Sequence, residues 1–334
     1  MKLVTFPPSE SPRRLVWYLS LEEYLARRID MLLPEGGREC FFLWRVPPTV
    51  IFGRNQVMEA EVNLGYCRAR GIELYRRKSG GGCVYSDMGN IMFSYISDGV
   101  DVEKTFSGVI GRIAGALRSL GADAVPSGRN DILVGGRKVS GNAFFLLPGS
   151  SIVHGTLLFD SDFEEMERAL TPSGAKISPK GVPSVRQHVA NLSEFLPGMT
   201  LDAFVSSLKD CLSSGTLTLS EDDIREVDLL EAQYLDPAFI EGKSRRYSRE
   251  KTFRTEGAGI VTVSLAVEGG AIAAVSLSGD FFSTGVEDPS EALEELLLGV
   301  GDREDAVRSA LGGFALEGYV RGLGTDKLIT ELYN

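Results

Sequence analysis

Histidine is nearly missing from this sequence. His154 and His188 are the two present, which excludes a metal site built from several histidines. Cysteine is sparse too: Cys40, Cys67, Cys83 and Cys211 show no CxxC spacing and read as reduced, cytoplasmic thiols. No apolar run approaches the roughly 20 residues of a membrane span, so no membrane association is expected. The opening "MKLVTFPPSESPRR" has too short an apolar run for a signal peptide. Positive charge is in deficit, with 35 Lys and Arg against 46 Asp and Glu, a net charge of −11 and a pI near 4.9. That argues against nucleic acid as the main partner, because neutralising phosphates needs a basic face.

What is present points to a globular protein. The 334 residues are 43% hydrophobic and 24% charged, enough for a substantial core and for one large and one small domain. The 38 glycines suggest several loops defined by their backbone. "YLSLEEYLARRIDMLLPEGG" predicts a helix opened by a Ser20–Glu23 capping box and stopped by Pro34 and Gly36-Gly37. "CFFLWRV" and "TVIFG" read as strands, and Val102, Phe106, Val109, Ile113, Leu117 and Leu120 follow helical spacing up to Gly121. "SDFEEMERAL", 201–212 and 221–234 predict further helices, the last with Ser220 and Asp223 as a capping pair. The Gly-, Pro- and Lys-rich stretch 173–183 reads as a loop that could close over a site. "YLDPAFIEGKSRRYSRE" is polar and irregular and places a domain boundary between 1–244 and 245–334. Beyond it, a hairpin turning at Gly269-Gly270 and helices near 290–298, 303–311 and 324–332 make a small α+β module.

Two segments carry candidate chemistry. "RRKSGGGCVYSDMGN", residues 76–90, sets basic residues before three glycines, in a loop that joins strands. Such backbone can cradle an anion, and Arg77 could bind one with its fork; a tight turn with a solvated basic rim fits the same residues. Nothing adjacent offers Cys83 a base, so it reads as a lining residue rather than a nucleophile. The GKS at 242–244 is no phosphate loop, since Pro237 stands where that pattern needs glycine. "NDILVGGRKVSG" predicts a hairpin turning at Gly135-Gly136, pairing 134 with 137, 133 with 138 and 131 with 140. That register puts Asp131, Leu133, Lys138 and Ser140 on one face, so a carboxylate and an ammonium converge. His154 in "IVHGTLLF" reads by itself as a satisfied core histidine.

Together, "FLWRVPPTVIFGRNQ", "RRKSGGGCVYSDMGN", "SGRNDILVGGRKVSGNAF", "HGTLLFD" and "KGVPSVRQHVANLSEFLPG" resemble the lipoate–protein ligases, over most of residues 39–198. The small tail resembles the C-terminal accessory domain of the long bacterial forms. The resemblance implies an α/β (α+β) fold: a biotin/lipoate ligase-type catalytic domain with mixed β-sheets plus the small domain. It implies adenylation of lipoate by ATP with Mg2+, then transfer of the lipoyl group to a lysine. The acceptors would be apo lipoyl domains of 2-oxoacid dehydrogenase E2 subunits or the glycine-cleavage H protein, and the enzyme a cytoplasmic monomer.

By the same resemblance Lys138 is catalytic. ATP would be bound by Arg77, Gly82, Cys83, Val84, Tyr85, Asn130, Asp131, Lys138, Lys180 and Val182, with Asp131 also on the metal. Lipoate would be bound by Arg77, Ser79, Gly80, Gly81, Lys138, Ser140, His154, Ser184 and Arg186. Ser86 stands where the family commonly has histidine, so no acid–base role is expected there. The linker lacks the family's tryptophan, so the small domain is expected to dock differently. Two alternatives share the fold: an octanoyl or lipoyl transferase, which needs a cysteine that "GADAVPSGRNDIL" lacks, and a non-catalytic lipoate- or nucleotide-binding homologue.

Overall fold

The computed structural model describes residues 1–9, 13–34, 38–127, 130–170, 188–241, 247–285 and 287–334. Its strands run β1 (Lys2–Thr5), β2 (Glu39–Trp44), β3 (Thr49–Phe52), β4 (Glu73–Arg76), β5 (Val84–Ser86), β6 (Asn90–Ser97), β7 (Ala124–Ser127), β8 (Asp131–Val134), β9 (Arg137–Leu147), β10 (Ser150–Leu158), β11 (Thr216–Thr218), β12 (Arg249–Thr255), β13 (Gly259–Glu268) and β14 (Ala271–Gly279). The main sheet has the order β11-β1-β2-β6-β10-β9-β8-β7. β1 is parallel to both its neighbours and the other pairs are antiparallel, so the sheet is mixed. A second mixed sheet, β4-β3-β5, carries the glycine loop between β4 and β5.

Helices cover both faces of the main sheet, and β6 and β10 at its centre are buried at every position. One face packs against the helices Val102–Ser119 and Leu201–Leu212, through Phe93, Ile113, Leu117 and Phe204. The other packs against Leu15–Leu32 and Glu221–Tyr234, through Leu15, Leu25, Ile96 and Val227. The caps follow local chemistry. Asp101 accepts from Lys104 N at 3.0 Å, and Ser220 and Asp223 form the expected reciprocal pair.

Three expectations need correction. The first helix begins at Leu15, not after Ser20: Leu15, Val16 and Leu19 are buried, and Ser20 inside the helix donates to Val16 O at 2.8 Å. Tertiary burial extends the helix through a sequence that imitates a start. The polar stretch before the tail is not wholly irregular, because Arg249–Thr255 is an edge strand paired along β13. Only Phe253 of that strand is buried, which hides the alternation. The Gly135-Gly136 turn holds, with φ of 57° and 78° and the pairs 134–137 and 133–138, but a bulge then pairs Asp131 with Gly141 and Ile132 with Ser140.

The tail builds its own core from Phe253 to Leu332, between the sheet β12-β13-β14 and the helices Pro289–Leu297, Glu304–Ala310 and Thr325–Tyr333. The expected boundary at 244/245 lies outside the described residues. Phe282 departs from this unit and joins the larger core, stacked on Phe144 with ring centroids 5.7 Å apart. No described helix is long and apolar enough to cross a membrane.

Candidate active site

A cavity of about 110 Å³ opens between the glycine loop, β9 and β10. Its lining combines apolar Leu19, Trp44, Ile51 and Met92 with polar Asn130, Lys138, Asn142 and Thr156, and Met92 stands directly opposite Thr156 across β6 and β10. A chamber of this kind accepts a molecule with an apolar tail and an anionic head.

The glycine loop is shaped by what surrounds it. A Cβ on Gly53 would fall 2.1 Å from Gly81 O, and one on Gly80 would fall 2.3 Å from Phe281 O. Gly82 differs, because a Cβ there would meet nothing within 4 Å. Packing therefore accounts for Gly80 but not for Gly82, which lines the cavity and leaves room for a ligand to approach the backbone.

Two adjacent arginines frame this loop from inside. Arg76 donates to the carbonyls of Gly53, Arg54 and Gln56 and to those of Phe239, Ile240 and Glu241. Arg77 donates from Nη2 to Gly80 O at 2.7 Å and Gly82 O at 2.8 Å, from Nη1 to Ile51 O, and from Nε to Ser79 Oγ at 3.0 Å. Burial pushes both guanidinium pKa values down to about 10, which leaves them charged at neutral pH. Most of the Arg77 fork is thus spent on the protein itself.

The hairpin supplies the cation. Lys138 Nζ lies 2.8 Å from Asp131 Oδ1, the convergence that the turn implied. The bulge sends Val139 into the core and brings Gly141 opposite Asp131. A Cβ on Gly141 would sit 2.8 Å from Lys138 Nζ, so this glycine makes the lysine's berth. Asn130 and Asn142 lock the strand ends, each side-chain amide donating to the other's carbonyl at 2.9 and 2.8 Å. Val189 bridges Lys138 from the following segment, and Ala190 N donates to Lys138 O at 2.9 Å.

Of the expected site residues, Arg77, Gly81, Gly82, Cys83, Val84, Asn130, Lys138 and His154 line the cavity. Ser79, Gly80, Tyr85, Asp131 and Ser140 stand behind that wall. Tyr85 is 1% exposed in the core beneath the loop, where burial pushes its phenol pKa up. Ser140 is fully buried and donates to Asn142 Oδ1 at 3.3 Å. Lys180, Val182, Ser184 and Arg186, with the expected closing loop, lie outside the described residues. Ser86 is fully buried, and its Oγ has no hydrogen-bond partner among the described residues. No group of three His, Cys, Asp or Glu side chains gathers to hold a metal among the described residues.

Other contributors carry no motif of their own, although Trp44 and Asn142 lie within segments that carry the resemblance. Trp44 and Asn142 sit on strands, and Glu22 is a buried carboxylate that meets His154 Nδ1 at 2.8 Å. The signal for Glu22 is a carboxylate on the core-facing side of a helix. The small unit also reaches the site: Gly81 N donates to Phe281 O at 3.1 Å, Gly279 N donates to Asn55 O at 2.7 Å, and Arg54 pairs with Asp288. Docking thus uses Phe281 and Phe282, in a chain whose linker has no tryptophan.

Residues 16–213 match the family model of the lipoyl protein ligase A/B catalytic domain, and 244–332 match that of the bacterial lipoate protein ligase C-terminus. The lipoate-protein ligase LplJ of Bacillus subtilis (strain 168) is 35% identical over 325 residues, covering 94% of this chain and 96% of its own. Among solved structures, P. falciparum LipL1 in complex with lipoate superposes with a TM-score of 0.77 at 20% identity, covering 99% of this chain and 97% of its own. A lipoate-protein ligase A bound with ATP superposes with a TM-score of 0.60 at 27% identity, covering 72% of this chain and 98% of its own. With both halves matched, a glycine loop framed from within and a lysine set in a glycine berth, the chain belongs to the lipoate–protein ligase family and is a ligase.

Proposed function

We propose that this ligase activates lipoate with ATP and passes the lipoyl group to a lysine of an apo lipoyl domain or glycine-cleavage H protein. The observation that carries the reading is the cavity's mixed lining, which brings apolar Trp44 and Met92 and the cation of Lys138 into one chamber. Relatives and neighbours named for lipoate and ATP support it.

In the first step a carboxylate oxygen of lipoate attacks the α-phosphorus of ATP. A P–O bond forms, the bond to the bridging oxygen breaks, and pyrophosphate leaves with the electron pair. Two anions meet in this step, and Lys138, held by Asp131, stands ready to screen them without reorganising. In the second step an acceptor lysine amine attacks the acyl carbonyl, AMP departs and the amine loses a proton. Gly82 and its neighbours offer backbone to the nucleotide. Magnesium fits beside the substrate: Asp131, whose side chain is partly exposed while its Oδ1 faces Lys138, would be the residue that holds it. When bound it neutralises triphosphate charge.

In this reading residues 1–244 are the catalytic domain and 245–334 the accessory domain, and the protein is a cytoplasmic monomer. The test is lipoate-dependent ATP–pyrophosphate exchange, followed by lipoylation of an apo lipoyl domain. Exchange and transfer are expected; absence of exchange in the intact protein overturns the reading. One observation favours a second reading. Cys83 lines the cavity, as a thioester-forming cysteine of a transferase would. Acyl transfer from a carrier protein without ATP would establish it.

A further inference from the structure

Glu22 occupies a helix face that is otherwise apolar. Leu15, Leu19, Ala26 and Ile29 share that face and are buried, and Glu22 among them is 3% exposed. Its carboxylate lies over two neighbouring strands. Ser94 on β6 is directly opposite His154 on β10, so both side chains leave the sheet on one face. Ser94 donates to Oε1 of Glu22, and His154 Nδ1 meets Oε2 at 2.8 Å.

Two hydrogen-bond chains end on this carboxylate. One starts at Trp44, whose Nε1–H donates to Ser94 Oγ at 2.9 Å. The other starts at Arg77, whose Nε–H donates to Ser79 Oγ, itself 2.7 Å from His154 Nε2. The proton positions follow from the ends. Indole and guanidinium only donate, and an ionised carboxylate only accepts. With one ring proton on His154, that proton lies on Nδ1 and Ser79 donates to Nε2. Both chains point toward Glu22.

The chains begin at two separate lining residues of the cavity: Trp44 on β2, and Arg77, which grips the Gly80 and Gly82 carbonyls of the loop. We propose that Glu22 is a positioning residue that couples these two walls, so that an acyl acid lying against Trp44 sets the glycine loop for the nucleotide. The proposal rests on the reading of lipoate and ATP as co-substrates. Glu22 touches no reacting atom in it and acts through His154 and Ser94. The coupling is reciprocal, as linkage requires.

Calorimetric titration of lipoate, alone and with saturating α,β-methylene-ATP, measures the coupling. Wild-type protein is expected to bind lipoate about 10-fold more tightly with the analogue present. Glu22→Gln keeps the shape but puts a donor where two donors converge, and should cut the factor below about twofold. Nitrogen NMR should find His154 protonated on Nδ1 in wild type and redistributed between the nitrogens in E22Q. Ser94→Ala and Ser79→Ala each cut one chain, should lower the factor likewise, and decide the matter if E22Q does not fold. Undiminished coupling in folded E22Q, or in both serine variants, overturns the proposal. If wild-type protein forms no lipoyl-adenylate, the substrate reading falls with it. If it does form one and coupling survives the variants, only the role of Glu22 falls.

Discussion

On β6, Ile91, Phe93 and Tyr95 face the helices Val102–Ser119 and Leu201–Leu212, while Met92, Ser94 and Ile96 face the helix Leu15–Leu32. β10 divides the same way, with Val153 and Leu157 on one side and Ile152 and His154 on the other. The first face packs apolar groups against apolar groups. The second interrupts its packing with Glu22, Ser94 and His154. Burying that carboxylate is tolerable because donors converge on it, and each of them is then held in one orientation. Stability can be gathered on either face, but on the first the polar contact of Tyr95 with Glu39 is only part-buried, whereas on the second a buried carboxylate fixes the direction of the groups around it.

The contrast can be broken from the apolar side first. Phe204 is fully buried and packs on Phe159, so Phe204→Ala should cost about 3–5 kcal/mol in urea denaturation. The KM values of the protein that remains folded should stay at wild type; a large KM change would mean that the faces are not separable. Lys138→Ala tests the other side. Pyrophosphate exchange should fall by about 10²–10³ with the melting temperature near wild type, and exchange at full rate would remove the lysine's role. Gly141→Ala sharpens the same point without touching a charge. Its methyl group must displace Lys138 Nζ, and a loss of about 10-fold or more in exchange is expected, read from the kcat of purified protein. Cys83→Ala should have the smallest effect, within about twofold on lipoylation, because a lining residue loses little by becoming smaller. Complete loss of transfer would point to thioester chemistry.

Local chemistry made much of this protein legible. Gly135-Gly136 announces a tight turn, and the turn alone brings Asp131 toward Lys138. The bulge beyond it is not local, since it follows from Val139 entering a core that distant residues build. Ser20 and Glu23 satisfy the rule for a helix start, yet the helix starts at Leu15, because burial of Leu15, Val16, Trp17 and Leu19 in the added turn outweighs one cap. The glycine loop is recognisable by composition. The reason for each glycine is not, since Gly53 faces Gly81 and Gly80 faces Phe281 only after folding. Arg77 reads as an anion binder from its neighbours in sequence, whereas its hydrogen bonds run mostly to loop carbonyls.

The carbonyls gathered by Arg76 have a mechanical consequence. By holding Glu241 beside Gly53, Arg76 fixes the end of the preceding helix close to the glycine loop. From Glu241 to Tyr247 the chain has six peptide steps, about 20 Å at full stretch. A small unit whose Phe281 and Phe282 had left Gly81 and Phe144 would stay within that radius of Glu241. Its effective concentration at the loop would remain in the millimolar range, which the same unit severed and added in trans would have to match.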